Sequence, residues 1–133
     1  DMGPEEKVLA ISPVGPSPED YSFDEKIMKG FVRSHRRKAL SSLVNGPVET
    51  LWAKAALEAA RLAPSAVNRQ PWRFRLKDET ITIYTDSRRD SSKISKRLDC
   101  GIAMLHLELG ARWAGAPVRL ENLEPPDVAR LSL

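Results

Sequence analysis

Between Ala63 and Trp72 the chain reads Ala-Pro-Ser-Ala-Val-Asn-Arg-Gln-Pro-Trp. Pro64 and Pro71 fix φ and stiffen the run, while Ser65, Asn68 and Gln70 supply neutral donors and acceptors. None of those three is a strong acid or base near neutral pH, and no histidine or cysteine lies beside them in sequence. The run therefore suits recognition of a flat, polar or anionic ligand by amides and backbone N–H groups, and does not suit hydrolysis. The plainer alternative is a tight turn in which Asn68 and Gln70 only satisfy buried backbone. Residue types alone leave both open.

The next candidate is Arg36-Arg37-Lys38. Guanidinium forks grip phosphate bidentately and a lysine adds a point charge. The same run near a helix C-terminus would also offset the helix dipole, and a solvated basic face is the usual fate of such runs. The chain carries 21 Lys and Arg against 18 Asp and Glu, a net +3 that admits anionic ligands without demanding nucleic acid. No aromatic residues interleave with the basic clusters at Arg33–Lys38 and Arg88–Arg97, so nucleic-acid binding is not expected. His106 reads as a core histidine, and no Asp or Glu stands at metal-ligand spacing on its face. Asp99 reads as a helix N-cap and Glu108 as an exposed or partner-facing charge. Cys100 is the one cysteine, which excludes an intramolecular disulfide. It reads as packing, although a helix N-terminus beside it would lower its pKa.

The elements that must position these residues follow from periodicity. Lys7–Ile11 reads as a short buried strand, which Pro13, Pro16 and Pro18 cannot continue. Ser22–Arg37 reads as a helix, with Ser22 and Glu25 as a capping box and an apolar stripe from Phe23 to Val32. After the break at Asn45-Gly46-Pro47, a second helix runs from Val48 to Pro64 with Leu51, Trp52, Ala55, Ala56, Ala59 and Leu62 on its contact face. Two strands, Trp72–Leu76 and Ile81–Thr85, should pair around a four-residue loop, Lys77–Thr80. Asp86–Lys96 reads as a mobile polar loop. A last helix should run from Asp99 to Gly115 with Ile102, Leu105, His106, Leu109 and Trp113 on one face. Val118–Leu120 suggests a short strand, and nothing places the tail after Glu124. No apolar run approaches the ~20 residues needed to cross a bilayer, and with one cysteine a cytoplasmic setting is expected.

Three stretches resemble one known family. Ala59–Phe74 closely resembles the conserved corner of the FMN-dependent nitroreductase superfamily. Asp99–Leu109 is similar to the central helix of a subfamily in which two nitroreductase-like halves share one chain. Ala10–Gly15, followed by Arg36-Arg37-Lys38, resembles that subfamily's linking segment, with Ala39 standing where a proline is usual. The matches run from about residue 8 to about residue 115.

The resemblance implies an α+β, nitroreductase-like fold with a small antiparallel or mixed sheet packed on a long central helix. Residues 1–133 form a single domain on this view, with 1–46 as a linking segment and 47–133 as core. The chain would be the C-terminal half of a longer fold, because the subfamily's N-terminal arginine arm has no counterpart. FMN is implied as cofactor and NAD(P)H as co-substrate, with hydride passing to a nitroaromatic or quinone-like small-molecule acceptor. Pro64, Ser65, Ala66, Asn68 and Gln70 would meet the flavin, and Arg36, Arg37 and Lys38 its phosphate. No catalytic side chain and no metal are implied. The last helix would form a homodimer contact, or pair with the missing N-terminal half, with no nucleic-acid or membrane partner. A second reading keeps the fold but makes the chain a non-catalytic dimerisation or small-ligand-binding module.

Overall fold

The computed structural model describes residues 36–87 and 94–133. The strand expected at Lys7–Ile11 and most of the helix expected at Ser22–Arg37 lie outside them. The end of that helix is corrected: Arg36 and Arg37 are irregular backbone, leading through Lys38 and Ala39 into a single 3-10 turn at Leu40–Ser42.

The alternation after the corner makes a hairpin. In β2 (Trp72–Lys77) the bulky Trp72 and Phe74 are buried and the arginines that follow each of them, Arg73 and Arg75, are less so. β3 (Thr80–Thr85) pairs antiparallel with it, Phe74 opposite Ile83 and Leu76 opposite Ile81. Lys77 and Thr80 form the last rung, so the loop is Asp78-Glu79 alone and not the four residues expected. Both have positive φ, 48° and 57°, as a two-residue turn between right-twisted strands requires.

β1 (Val44–Asn45) joins β2 in parallel, and the far side of β3 is taken by β5 (Asp127–Ser132), with β4 (Arg119–Asn122) outside it. The sheet order is β1-β2-β3-β5-β4, a mixed sheet in an α+β chain. The tail that sequence could not place thus supplies an inner strand, with Val128, Ala129 and Leu131 buried. Gly46 lets β1 pass tightly over β2. Its φ is +109°, and a Cβ there would lie 2.6 Å from the Leu76 carbonyl oxygen.

Among the described residues two α-helices pack on each other, and the second also packs on this sheet. α1 (Leu51–Arg61) is capped by Thr50, whose hydroxyl accepts from the Ala53 N–H. Its buried face is Trp52, Ala53, Ala56, Leu57 and Ala60, rotated from the expected one, so that Leu51 and Leu62 are exposed. α2 (Lys96–Trp113) begins earlier than expected, with Ser95 and not Asp99 as N-cap. It ends as expected at Gly115, whose φ of +80° lets the Ala116 N–H return to the Ala111 carbonyl.

The face α2 buries is the main correction. Cys100, Ala103, Leu107, Gly110 and Ala111 point inward, whereas Ile102, Leu105, Leu109 and Trp113 stand exposed, Trp113 by 92%. Small side chains decide this. A Cβ on Gly110 would fall 2.7 Å from both the Ala55 carbonyl oxygen and the Ala59 Cβ, so the two helix backbones nearly touch. Close approach along small residues forces the large apolar ones outward. No helix among the described residues is long and apolar enough to cross a membrane.

Candidate functional site

The corner runs from the end of α1 to the start of β2. Pro64 is exposed and Ala63 buried, and a short 3-10 turn follows at Ala66–Asn68. Inside it Val67 (φ 46°, ψ 28°) and Asn68 (φ 54°) are left-handed, as is Gln70 (φ 48°). For a β-branched residue such as Val67 this region is a true outlier, on the order of 1–3 kcal/mol, and it survives only where neighbours over-determine it. The Ser65 hydroxyl closes the turn by accepting from the Gln70 N–H at 2.9 Å.

The basic run, distant in sequence, lies along this corner. Arg37 donates through Nη1 to Asn68 Oδ1 at 3.1 Å, and through Nε and Nη2 to the Leu62 carbonyl. Asn68 Nδ2 and Gln70 Nε2 both donate to the Arg36 carbonyl at 2.8 Å. The Lys38 N–H donates to Gln70 Oε1 at 2.8 Å, and its ammonium to the Arg69 and Gln70 carbonyls at 3.0 Å. The structure therefore gathers Arg36, Arg37, Lys38, Ser65, Ala66, Asn68 and Gln70 in one place, with Pro64 at its border. The two amides do satisfy backbone, as the plainer alternative held, and the backbone they satisfy belongs to the basic run.

Asp99 has a role that its sequence position hid. It sits in the first turn of α2 but caps nothing there. Its buried carboxylate accepts from the Ala66 N–H at 2.9 Å and from Arg69 Nε at 2.5 Å. Arg69 also donates to the Ile94 carbonyl. The only sequence signal was a charge of the right sign to sit inside a helix N-terminal turn.

Cations dominate the electrostatics. Burial lowers the pKa of Lys38, and the neighbouring charges of Arg73 and Lys96 lower it further against a raising effect of Asp86. Asp86 bridges the cluster, 2.9 Å from Lys96 Nζ and 3.8 Å from Arg73 Nη2. Three cations around one carboxylate leave an excess of positive charge beside the corner. The Cys100 thiol is pushed up to about 12 by burial and then by the adjacent carboxylates of Asp99 and Asp86, so the helix N-terminus does not activate it. His106, expected in the core, is only partly buried.

The described residues line two cavities of note. One, of about 310 Å³, lies between the start of α1 and the β2–β3 turn, lined by Trp52, Leu76 and Glu79 among others. The other, of about 380 Å³, opens at Thr85, Ser95, Lys96 and Arg97. Neither of these two is lined by Ser65, Asn68 or Gln70.

With this geometry established, comparison with known proteins is informative. A family model described as "Putative TM nitroreductase" matches residues 2–111. The protein named "Putative NAD(P)H nitroreductase acg", from two strains of Mycobacterium tuberculosis, is 32% identical over 79 residues, a match that takes in 56% of this chain and 24% of the relative. The chain thus spans about a quarter of the length of these curated relatives. A crystal structure described as "a putative nitroreductase" from Thermotoga maritima superposes with a TM-score of 0.59 at 24% identity, covering 74% of this chain and 42% of that one. The fold is therefore nitroreductase-like, α+β with a mixed sheet, as the resemblance implied.

Proposed function

The chain belongs to the TM nitroreductase family, and from that premise we propose that its corner and basic run form one wall of an FMN site in a nitroreductase-type oxidoreductase. The observation that carries this is the joining of Arg36–Lys38 to Asn68 and Gln70, which presents cations and amides on one ledge. The chemistry of that donor set fits a flavin mononucleotide. The Arg36 guanidinium is exposed and has no side-chain partner among the described residues, which leaves its fork for a phosphate. Arg37 is held by Leu62 and Asn68 and adds fixed positive charge, and Lys38, Arg73 and Lys96 supply the surplus noted above. Backbone at Ser65–Asn68, held in a left-handed turn, offers a stiff edge against which a planar ring can lie.

When bound, FMN would supply hydride chemistry between NAD(P)H and a nitroaromatic or quinone-like acceptor. The chain's own residues bind and orient. The arginines neutralise a dianionic phosphate, and the amide of Asn68 sets polarity at the ring edge. Ser65, Asn68 and Gln70 are neutral donors and acceptors, and the redox step is left to the cofactor. The exposed row Leu105, Leu109 and Trp113 on α2 serves as the contact with a second copy or a companion half. We propose a cytoplasmic setting for this nitroreductase-like chain.

Full chain reconstituted with FMN should oxidise NAD(P)H faster when a nitroaromatic or quinone is added. No acceptor-dependent oxidation by FMN-loaded protein would rule the enzyme out. One observation favours the alternative of a non-catalytic binding half: Asn68 and Gln70 already spend side-chain donors on the Arg36 carbonyl. In that case FMN binds, or the chain dimerises, without turnover.

A further inference from the structure

We propose that Asp99 is the positioning residue of the site, holding Val67 and Asn68 in their left-handed backbone so that the corner meets its ligand in a fixed shape. The proposal rests on the FMN site above only for the identity of that ligand.

Val67 and Asn68 are two consecutive residues at φ 46° and 54°, and the first is β-branched. Left alone, that backbone would relax toward extended or right-handed conformations, since L side chains clash with the carbonyl in the left-handed region. Asp99 grips both sides of the pair. One carboxylate oxygen takes the Ala66 N–H at 2.9 Å, immediately before Val67. The other takes Arg69 Nε at 2.5 Å, immediately after Asn68. Both grips are charge-assisted, the stronger class of hydrogen bond, and Asp99 is 2% exposed, so water does not compete well for it.

The anchor is as firm as the grip. Asp99 stands in the first turn of an 18-residue helix whose inner face is packed against α1, and a carboxylate there is favoured by the helix dipole. Ser65 adds a third tie through the Gln70 N–H. The strained pair is therefore tied to α2 through Asp99, beside the bonds of Asn68 to Arg36 and Arg37 and of Arg69 to the Ile94 carbonyl. Two consequences follow. The Asn68 amide is presented at a set angle to both the basic run and the ligand, and the shape is present before any ligand arrives, so little ordering cost is paid on binding.

The test uses the full chain with Asp99→Asn, which keeps the shape and removes the charge, and Arg69→Gln, which removes one grip at a less buried position should the first variant fail to fold. Amide exchange at Ala66 and Asn68 is followed by NMR against the β2 amides of the same sample, and FMN is titrated into each. The expected result is local: exchange at Ala66 and Asn68 quickens relative to β2, FMN affinity falls about tenfold, as loss of one charged hydrogen bond would give, and the visible band of bound FMN moves toward that of free flavin. Unchanged relative exchange with unchanged affinity in a folded variant overturns the proposal. So does a lowered melting temperature with normal affinity and normal flavin band in the folded fraction, which would make Asp99 a packing residue. If the wild type itself takes up no FMN, the cofactor assignment fails instead, and the exchange ratio alone decides for or against Asp99.

Discussion

The guanidinium of Arg37 donates to the side-chain oxygen of Asn68 at 3.1 Å, across 31 residues of chain. That bond joins the two segments whose chemistry points to an anionic, planar ligand. Asn68 returns a donor to the Arg36 carbonyl, so the pairing is reciprocal and fixes the run of arginines along the turn.

Asn68→Ala removes both halves of this exchange. FMN affinity should fall about tenfold, with loss of stability near 1–2 kcal/mol because a left-handed alanine is strained and Arg36 loses a donor. Asn68→Gly tolerates the backbone and isolates the amide, so isothermal titration of both variants separates the contributions. Wild-type affinity in Asn68→Gly would show that the amide serves only the turn.

Lys38 gives the ledge a pH signature. Burial and the charges of Arg73 and Lys96 lower its pKa below the usual 10.5, so it loses its proton earlier than an ordinary lysine on raising pH. The protonated form is the one that attracts phosphate. FMN affinity therefore declines as pH rises through the lowered value. Lys38→Arg should flatten that alkaline decline, and an unchanged profile in Lys38→Arg would assign it to another group.

Gly110 and Gly101 make a paired test of the helix contact. A Cβ on Gly110 would meet Ala55, Ala56 and Ala59 at under 3.0 Å, so Gly110→Ala must push α1 and α2 apart and should cost about 1–3 kcal/mol in urea unfolding. Gly101 has nothing within 4 Å of such a Cβ. Gly101→Ala should gain ~0.5–1 kcal/mol from helix propensity. Equal effects at the two positions would contradict the packing described.

Leu105→Glu places a charge in the exposed row of α2. Sedimentation should show a smaller assembly than wild type at the same concentration, with the melting transition of the fold retained. An unaltered sedimentation coefficient would remove this face from the interface.

Much of this architecture was legible before any coordinates. The α1 helix, the β2–β3 hairpin and the stop at Gly115 follow from caps, alternation and glycine. The meeting of Arg36–Lys38 with the corner was legible only through family resemblance, because nothing local tells a basic run which distant amides it will face. Three things were hidden. Asp99 looked like an N-cap because a carboxylate at a helix start serves equally well inside the first turn, and only tertiary contact shows where it reaches. The buried face of α2 was misjudged because hydrophobicity ranks Leu105 and Leu109 above Gly110 and Ala111, whereas close helix approach selects small residues. β5 followed two prolines and alternated too briefly to read, and its place between β3 and β4 depends on pairing with strands far away in sequence.

The central claim is that Arg36–Lys38 and the corner together hold FMN. Its most direct test is titration of FMN into the full wild-type chain, and into Arg36→Ala/Arg37→Ala, followed by quenching of flavin fluorescence. The account predicts saturable binding by the wild type and a loss of at least about tenfold in the double variant, the scale of one charged hydrogen bond. Free-flavin fluorescence throughout the wild-type titration, or equal binding by both proteins, would contradict it.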